Sequence, residues 1–155
     1  MRIAVLLHNV RSAHNVGSIF RTADAAGVSK LYLSGYAPLP VDRFGRAQKE
    51  IAKTALGATT FVPWEYSKRP APIIKKLRSE GWHIVGVEQD ERSIDYRKFK
   101  VRENTLFVFG NEVRGLSPLL REQCAELIEI PMRGDKESLN VSVAAGIILF
   151  SFPRS

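Results

Sequence analysis

The sequence predicts an α/β doubly wound fold: a mainly parallel sheet covered by helices on both faces. Three observations predict it: short apolar runs that read as buried strands, amphipathic stretches that alternate with them, and glycines where helices should stop. The first run, Arg2–Leu7, suits a buried strand. From Asn15 to Ala26, Val16, Ile19, Phe20 and Ala23 share one helical stripe, and Gly27 follows as a C-terminal stop. Leu31–Ser34 returns as a strand. A Pro- and Gly-punctuated loop, Gly35–Arg46, leads to a mostly polar helix over Gln48–Leu56, and Thr59–Val62 reads as the next strand. Pro72–Glu80 is a helix with Ile73, Ile74 and Leu77 inward and Gly81 at its end. His83–Val87 and the wholly apolar Thr105–Phe109 are strands, Pro118–Gln123 is a short helix, and Leu127–Ile130 is a last strand that closes at Pro131. A final helix begins near Asn140. Its run from Val141 to Phe152 is apolar almost all round and demands cover on every side, from the centre of the fold or from a second subunit.

At 155 residues and 45% hydrophobic content the chain fits a single domain, 1–155, with one core. Lys and Arg number 23 against 16 Asp and Glu, a formal +7 that favours polyanionic partners. Cys124 is the only cysteine, so no internal disulfide is possible, a reducing cytoplasm is expected, and the residue itself reads as packing. The run Arg2–Leu7 is too short for a signal-peptide core, and no segment reaches about 18 apolar residues. A soluble, unprocessed protein without a membrane partner is expected.

Common motifs are missing. No G-x-G-x-x-G follows the first strand, and Gly110-Asn-Glu-Val-Arg-Gly115 has P-loop glycine spacing with Leu-Ser in place of Lys-Ser/Thr. His8, His14 and His83 share no metal-ligand spacing with Cys124, and no G-x-S-x-G presents a nucleophile. Neither a metal nor acyl-enzyme chemistry is expected.

Ligands of such sheets bind beyond the carboxyl ends of strands, which directs attention to the loops after Leu7, Val87, Phe109 and Ile130. The first polar cluster is Asn9, Asn15, Gly17 and Arg21. Gly17, one turn before Arg21, would leave room for a ligand beside the guanidinium; alternatively Asn15 caps the helix and Arg21 is solvated. The second is Phe109-Gly-Asn-Glu-Val-Arg-Gly-Leu116, where glycines permit close backbone approach to a ligand or simply make a surface turn, and the acidic residue could hold a donor or a neighbouring asparagine. The third is Met132 to Asn140, in which Ser138 and Asn140 are good helix-capping types.

Together, Asn-x5-Asn-x-Gly-x3-Arg-Thr, Phe-Gly-Asn-Glu-x-Arg-Gly-Leu and Ile-Pro-Met-x6-Leu-Asn-Val-Ser-x-Ala-Ala resemble the three ordered motifs of the SpoU (TrmH-like) branch of the SPOUT-class RNA 2′-O-methyltransferases. Lys53-Thr-Ala-Leu-Gly-Ala58 resembles a segment between the first two. The resemblance covers nearly the whole chain and implies a Rossmann-like sheet with a C-terminal trefoil knot, a homodimer, S-adenosylmethionine as methyl donor and a tRNA or rRNA substrate. It implies a cofactor pocket of Val87, Gly110, Ile130, Met132, Ser138 and Leu139. It also implies that Arg21 activates the ribose hydroxyl and that Asn15, Glu112 and Asn140 are polar site residues. A guanidinium is a poor general base, so binding the adjacent phosphate and stabilising alkoxide charge suits Arg21 better.

No separate RNA-binding extension, such as many relatives carry, is expected. RNA contact is then expected from Arg43, Arg46, Lys49 and Lys53 around Phe44, a mixture of cations and an aromatic that otherwise reads as a solvated loop and helix. A catalytically silent RNA- or cofactor-binding protein, and a base methyltransferase on the same scaffold, are the competing readings.

Overall fold

The computed structural model describes residues 1–153. In chain order the elements are β1 (Arg2–His8), α1 (Ala13–Ala25), β2 (Lys30–Ser34), α2 (Lys49–Ala55), α3 (Ala58–Phe61), β3 (Trp64–Ser67), α4 (Ala71–Ser79) and β4 (His83–Val87). There follow β5 (Ile94–Asp95), a short 3-10 turn (Tyr96–Lys98), β6 (Asn104–Phe109), α5 (Pro118–Gln123), β7 (Glu126–Glu129) and α6 (Val141–Leu149). The strands form one sheet in the order β3-β2-β1-β6-β4-β7-β5, and every pair is parallel. All carboxyl ends therefore open on one edge. β6 is inserted between β1 and β4, and β7 between β4 and β5, so the last strands enter a sheet already laid down.

Alternation along β1 sorts the core into two layers. Ile3, Val5 and Leu7 pack under α1, α2 and α6 with Phe20, Ile51 and Ile148, whereas Ala4 and Leu6 face α4 and α5 through Ile74, Leu77 and Leu120. This places α1 and α6 on the same side of the sheet.

One expected strand is a helix. Thr59 and Thr60 lie in α3, because Leu56 and Gly57 both take left-handed backbone angles (φ 49° and 87°) that end α2 and start a new turn. Thr60 Oγ1 donates to Gly57 O at 2.8 Å and holds that turn. The strand comes after Pro63, as the polar edge segment Trp64–Ser67 beside β2. β5, only two residues long, has no counterpart in the sequence reading. The first helix begins at Ala13, and its N-cap is Ser12, whose Oγ accepts from the Asn15 backbone N–H at 3.1 Å; Asn15 is not the cap. α6 ends at Leu149. Its Val141, Ala145, Ile148 and Leu149 are buried, but Val143 is 50% exposed and Phe150, just beyond its end, 61%. Among the described residues, no helix is long and apolar enough to cross a membrane.

Candidate functional site

The loops after β4, β6 and β7 and the start of α6 converge on one cleft at the carboxyl edge of the sheet. It is an open cleft that encloses about 160 Å³, less than the roughly 300–1,000 Å³ of sites that enclose a whole small molecule. Val87, Gly110, Ile130, Met132, Ser138 and Leu139 all line it. Its walls are mixed: Phe109, Val141 and Ala144 add apolar surface beside these residues, and Glu88, Gln89, Asn111, Glu112 and Glu129 add polar surface. Among the described residues no Lys or Arg lines the cleft, while Glu88, Glu112 and Glu129 do. That set fits a nucleoside carrying positive charge, such as the sulfonium of S-adenosylmethionine, and it disfavours a phosphate-rich cofactor.

The loop that follows β6 is fixed from both sides. A side chain at Gly110 would come within 2.5 Å of the Gly115 carbonyl, and one at Gly115 (φ 64°) within 2.0 Å of Glu88 Oε2. Both positions therefore need glycine. Glu88 accepts from the Leu116 N–H at 2.6 Å and the Gln89 N–H at 3.0 Å, tying the loop to the end of β4. Glu88 has no part in the sequence reading; a single carboxylate after a strand carries no pattern.

Glu112 joins this loop to the start of α1. Its carboxylate accepts from the backbone N–H groups of Arg11 and Ser12, each at 2.9 Å, and from Asn15 Nδ2 at 3.2 Å. Burial raises its pKa, but the Arg11, Ser12 and Asn15 donors overcome this and hold the carboxyl below the ordinary glutamate value. The acidic residue of the second motif thus holds the asparagine of the first, 97 positions away.

A second cleft continues from the first, sharing Asn111, Glu112, Val113, Leu139 and Val141. Arg11, Ser12, Asn15, Tyr36, Arg114 and Asn140 complete its lining, so it is the cationic neighbour of an acidic pocket. Asn140 Oδ1 also accepts from the Ser142 backbone N–H at 2.8 Å and caps α6. Asn9, held at φ 57°, accepts the Tyr36 N–H on Oδ1 at 3.1 Å and Asn111 Nδ2 on its carbonyl at 3.0 Å.

Arg21 lines neither cleft. It lies six residues past Asn15, about 9 Å farther along α1 at 1.5 Å per residue, and borders a groove with Ser18, Thr22, Lys53, Thr54 and Phe150. Gly17 leaves no room for a ligand: a side chain there would meet Thr54 Oγ1 at 2.0 Å and Ile51 O at 2.4 Å, because α2 already fills the space. The glycine serves helix packing. Arg43, Arg46 and Lys49 are exposed away from both clefts; Arg43 and Arg46 lie over the Phe44 ring at 4.8 and 4.9 Å, and Arg46 pairs with Asp42 at 3.0 Å. Among the described residues no group of His, Cys, Asp and Glu forms a metal site.

Residues 2–150 match the model of the SpoU rRNA Methylase family. The 23S rRNA (guanosine-2′-O-)-methyltransferase RlmB of Vibrio vulnificus is 36% identical over 98% of this chain and 59% of its own length. Two solved structures are similar: the AdoMet-bound rRNA methyltransferase from Sinorhizobium meliloti (31% identity, TM-score 0.87, 97% of this chain and 55% of that one) and the A. aeolicus TrmH/SpoU tRNA modifying enzyme (32%, 0.83, 96% and 72%). The chain spans little more than half the length of the curated relatives it matches. With the parallel sheet, the cleft and the family match together, the chain belongs to the SpoU rRNA methylase family.

Proposed function

We propose that this chain transfers a methyl group from S-adenosylmethionine to a ribose 2′-hydroxyl of a structured tRNA or rRNA. The observation that carries the proposal is the paired cleft: an acidic, partly apolar pocket suited to a sulfonium nucleoside, continuous with a cationic one suited to RNA, with Glu112 between them. Family membership and the names of the relatives support it. When bound, S-adenosylmethionine supplies an electrophilic methyl on a positively charged sulfur.

The chain supplies position and electrostatics. Val87, Ile130, Met132 and Leu139 would exclude water around the nucleoside, and backbone groups at Gly110 and Ser138 would hold its polar edges. Glu112 fixes Asn15 and the start of α1, and Asn140 caps α6 and lines the second cleft. Arg21 binds the phosphate beside the target ribose and stabilises the developing alkoxide, while that phosphate or a water accepts the proton.

Because Arg21 is displaced from the cleft of its own chain, this role calls for a second subunit. We infer a homodimer in which the uncovered side of α6, with Val143 and Phe150, is the contact. The insertion of β6 and β7 into the sheet supports a knotted C-terminal path. Arg43, Arg46, Lys49 and Lys53 extend the RNA surface, and a lone cysteine accords with the reducing cytoplasm.

Incubation with methyl-labelled S-adenosylmethionine and unmodified total RNA, followed by nucleoside analysis, tests the proposal. Label in a 2′-O-methylnucleoside supports it. Label on a base reassigns the chain to base methylation, and no label despite cofactor and RNA binding identifies a silent binder.

A further inference from the structure

The second cleft contains an aromatic side chain that the motifs do not include. Tyr36 follows β2, is 56% exposed and lines the cleft together with Arg11, Arg114 and Asn140. An exposed tyrosine is ordinarily free to turn. This one is held at both ends: its backbone N–H donates to Asn9 Oδ1 at 3.1 Å, and its hydroxyl accepts from Asn111 Nδ2 at 3.1 Å. Asn111 donates from the same amide to Asn9 O, and its Oδ1 accepts from the Val113 and Arg114 N–H groups, each at 2.9 Å. The anchor is therefore the loop that bears Glu112. Gly35, at φ 69°, allows the arrangement, since a side chain there would lie 1.8 Å from Asn9 Oδ1.

We propose that Tyr36 is the stacking platform for an unpaired RNA base at or next to the nucleotide whose ribose enters the cleft. The inference rests on the RNA-methylating reading and names how that site recognises its acceptor. A fixed aromatic side chain that shares its cleft with Arg11 and Arg114 meets the needs of a splayed-out base and its phosphates, and fixing the ring beforehand removes ordering cost on binding. Stacking tolerates any base, so Tyr36 selects unpaired structure in preference to sequence. The anchoring through Asn111 also couples base binding to the loop that forms one wall of the cofactor cleft.

The test is fluorescence titration of an RNA stem-loop carrying 2-aminopurine at the apex of its loop, in the presence of S-adenosylhomocysteine. The variants are Tyr36→Phe, Tyr36→Trp and Tyr36→Leu, with S-adenosylhomocysteine affinity by calorimetry as the check on fold. Wild type, Phe and Trp variants are expected to bind and quench the probe, because all keep an aromatic face. The Leu variant is expected to lose the quenching and about tenfold in RNA affinity, with unchanged cofactor affinity. A Phe variant as impaired as the Leu variant would show that only the hydroxyl anchor matters and would overturn the proposal. So would a wild type that binds the stem-loop without quenching, or fails to bind it. A wild type that binds and quenches but methylates no RNA would refute the enzymatic reading and leave the stacking role standing.

Discussion

Glu112 shows what one carboxylate does at the residue scale. It satisfies two backbone N–H groups at the start of α1 and the Asn15 amide, so it acts as an N-terminal anchor supplied from another loop. Glu112→Gln is expected to cost about 1–3 kcal/mol, as charge-assisted bonds weaken. The folded-state pKa lies below the unfolded one, so this stabilisation is fully present above the unfolded glutamate value and is lost as pH falls through the folded value. Melting temperatures of wild type and variant should therefore differ at pH 7 and converge in acid, as the pH falls below the ordinary glutamate range and through the lowered folded-state value. A gap that widens in acid would contradict the assigned partners. The motif residues around Glu112 were legible in the sequence because their spacing is specific. Glu88 and Tyr36 were not: each acts through contacts with residues far along the chain, and neither belongs to a local pattern.

At the element scale, the apolar periodicities identified β1, α1, α4, β4 and β6 to within a residue or two, because each buries a continuous stripe. The segment Thr59–Val62 misled for a physical reason: its β-branched residues suit a strand, but the two left-handed residues before it start a helical turn. The actual edge strand is polar and so lacks the apolar signature. Gly17 was legible as special and misread in purpose. Alanine would raise intrinsic helix stability by up to about 1 kcal/mol, but here it must displace Thr54 and the Ile51 carbonyl of α2. Overpacking of that kind costs about 1–3 kcal/mol, so Gly17→Ala should lower the urea midpoint. A raised midpoint would show that α2 yields easily and that the close helix contact is dispensable.

At the scale of the whole molecule, the sheet gathers residues of all three sequence clusters at its carboxyl edge and leaves Arg21 on a separate groove beside Lys53. The all-round apolar character of α6 pointed to an extra layer of cover. The fold supplies that cover on one side and leaves Val143 and Phe150 open. If a second copy closes this side, the wild type sediments as a dimer and Val143→Glu as a folded monomer with methylation reduced tenfold or more. A wild type that is monomeric and active would remove the need for a partner and require Arg21 to act from its own groove.

The central claim is that the methyl group goes to a ribose 2′-hydroxyl with the help of Arg21. Methylation there removes the nucleophile that cleaves the RNA backbone in alkali, so the most direct measurement is alkaline digestion of RNA labelled by wild type and by Arg21→Ala. Label is expected in alkali-resistant dinucleotides with wild type and to be lost with the variant, whose fold should survive because Arg21 is exposed. Label released wholly in mononucleotides would place the methyl on a base, and undiminished label with Arg21→Ala would remove that residue from the reaction.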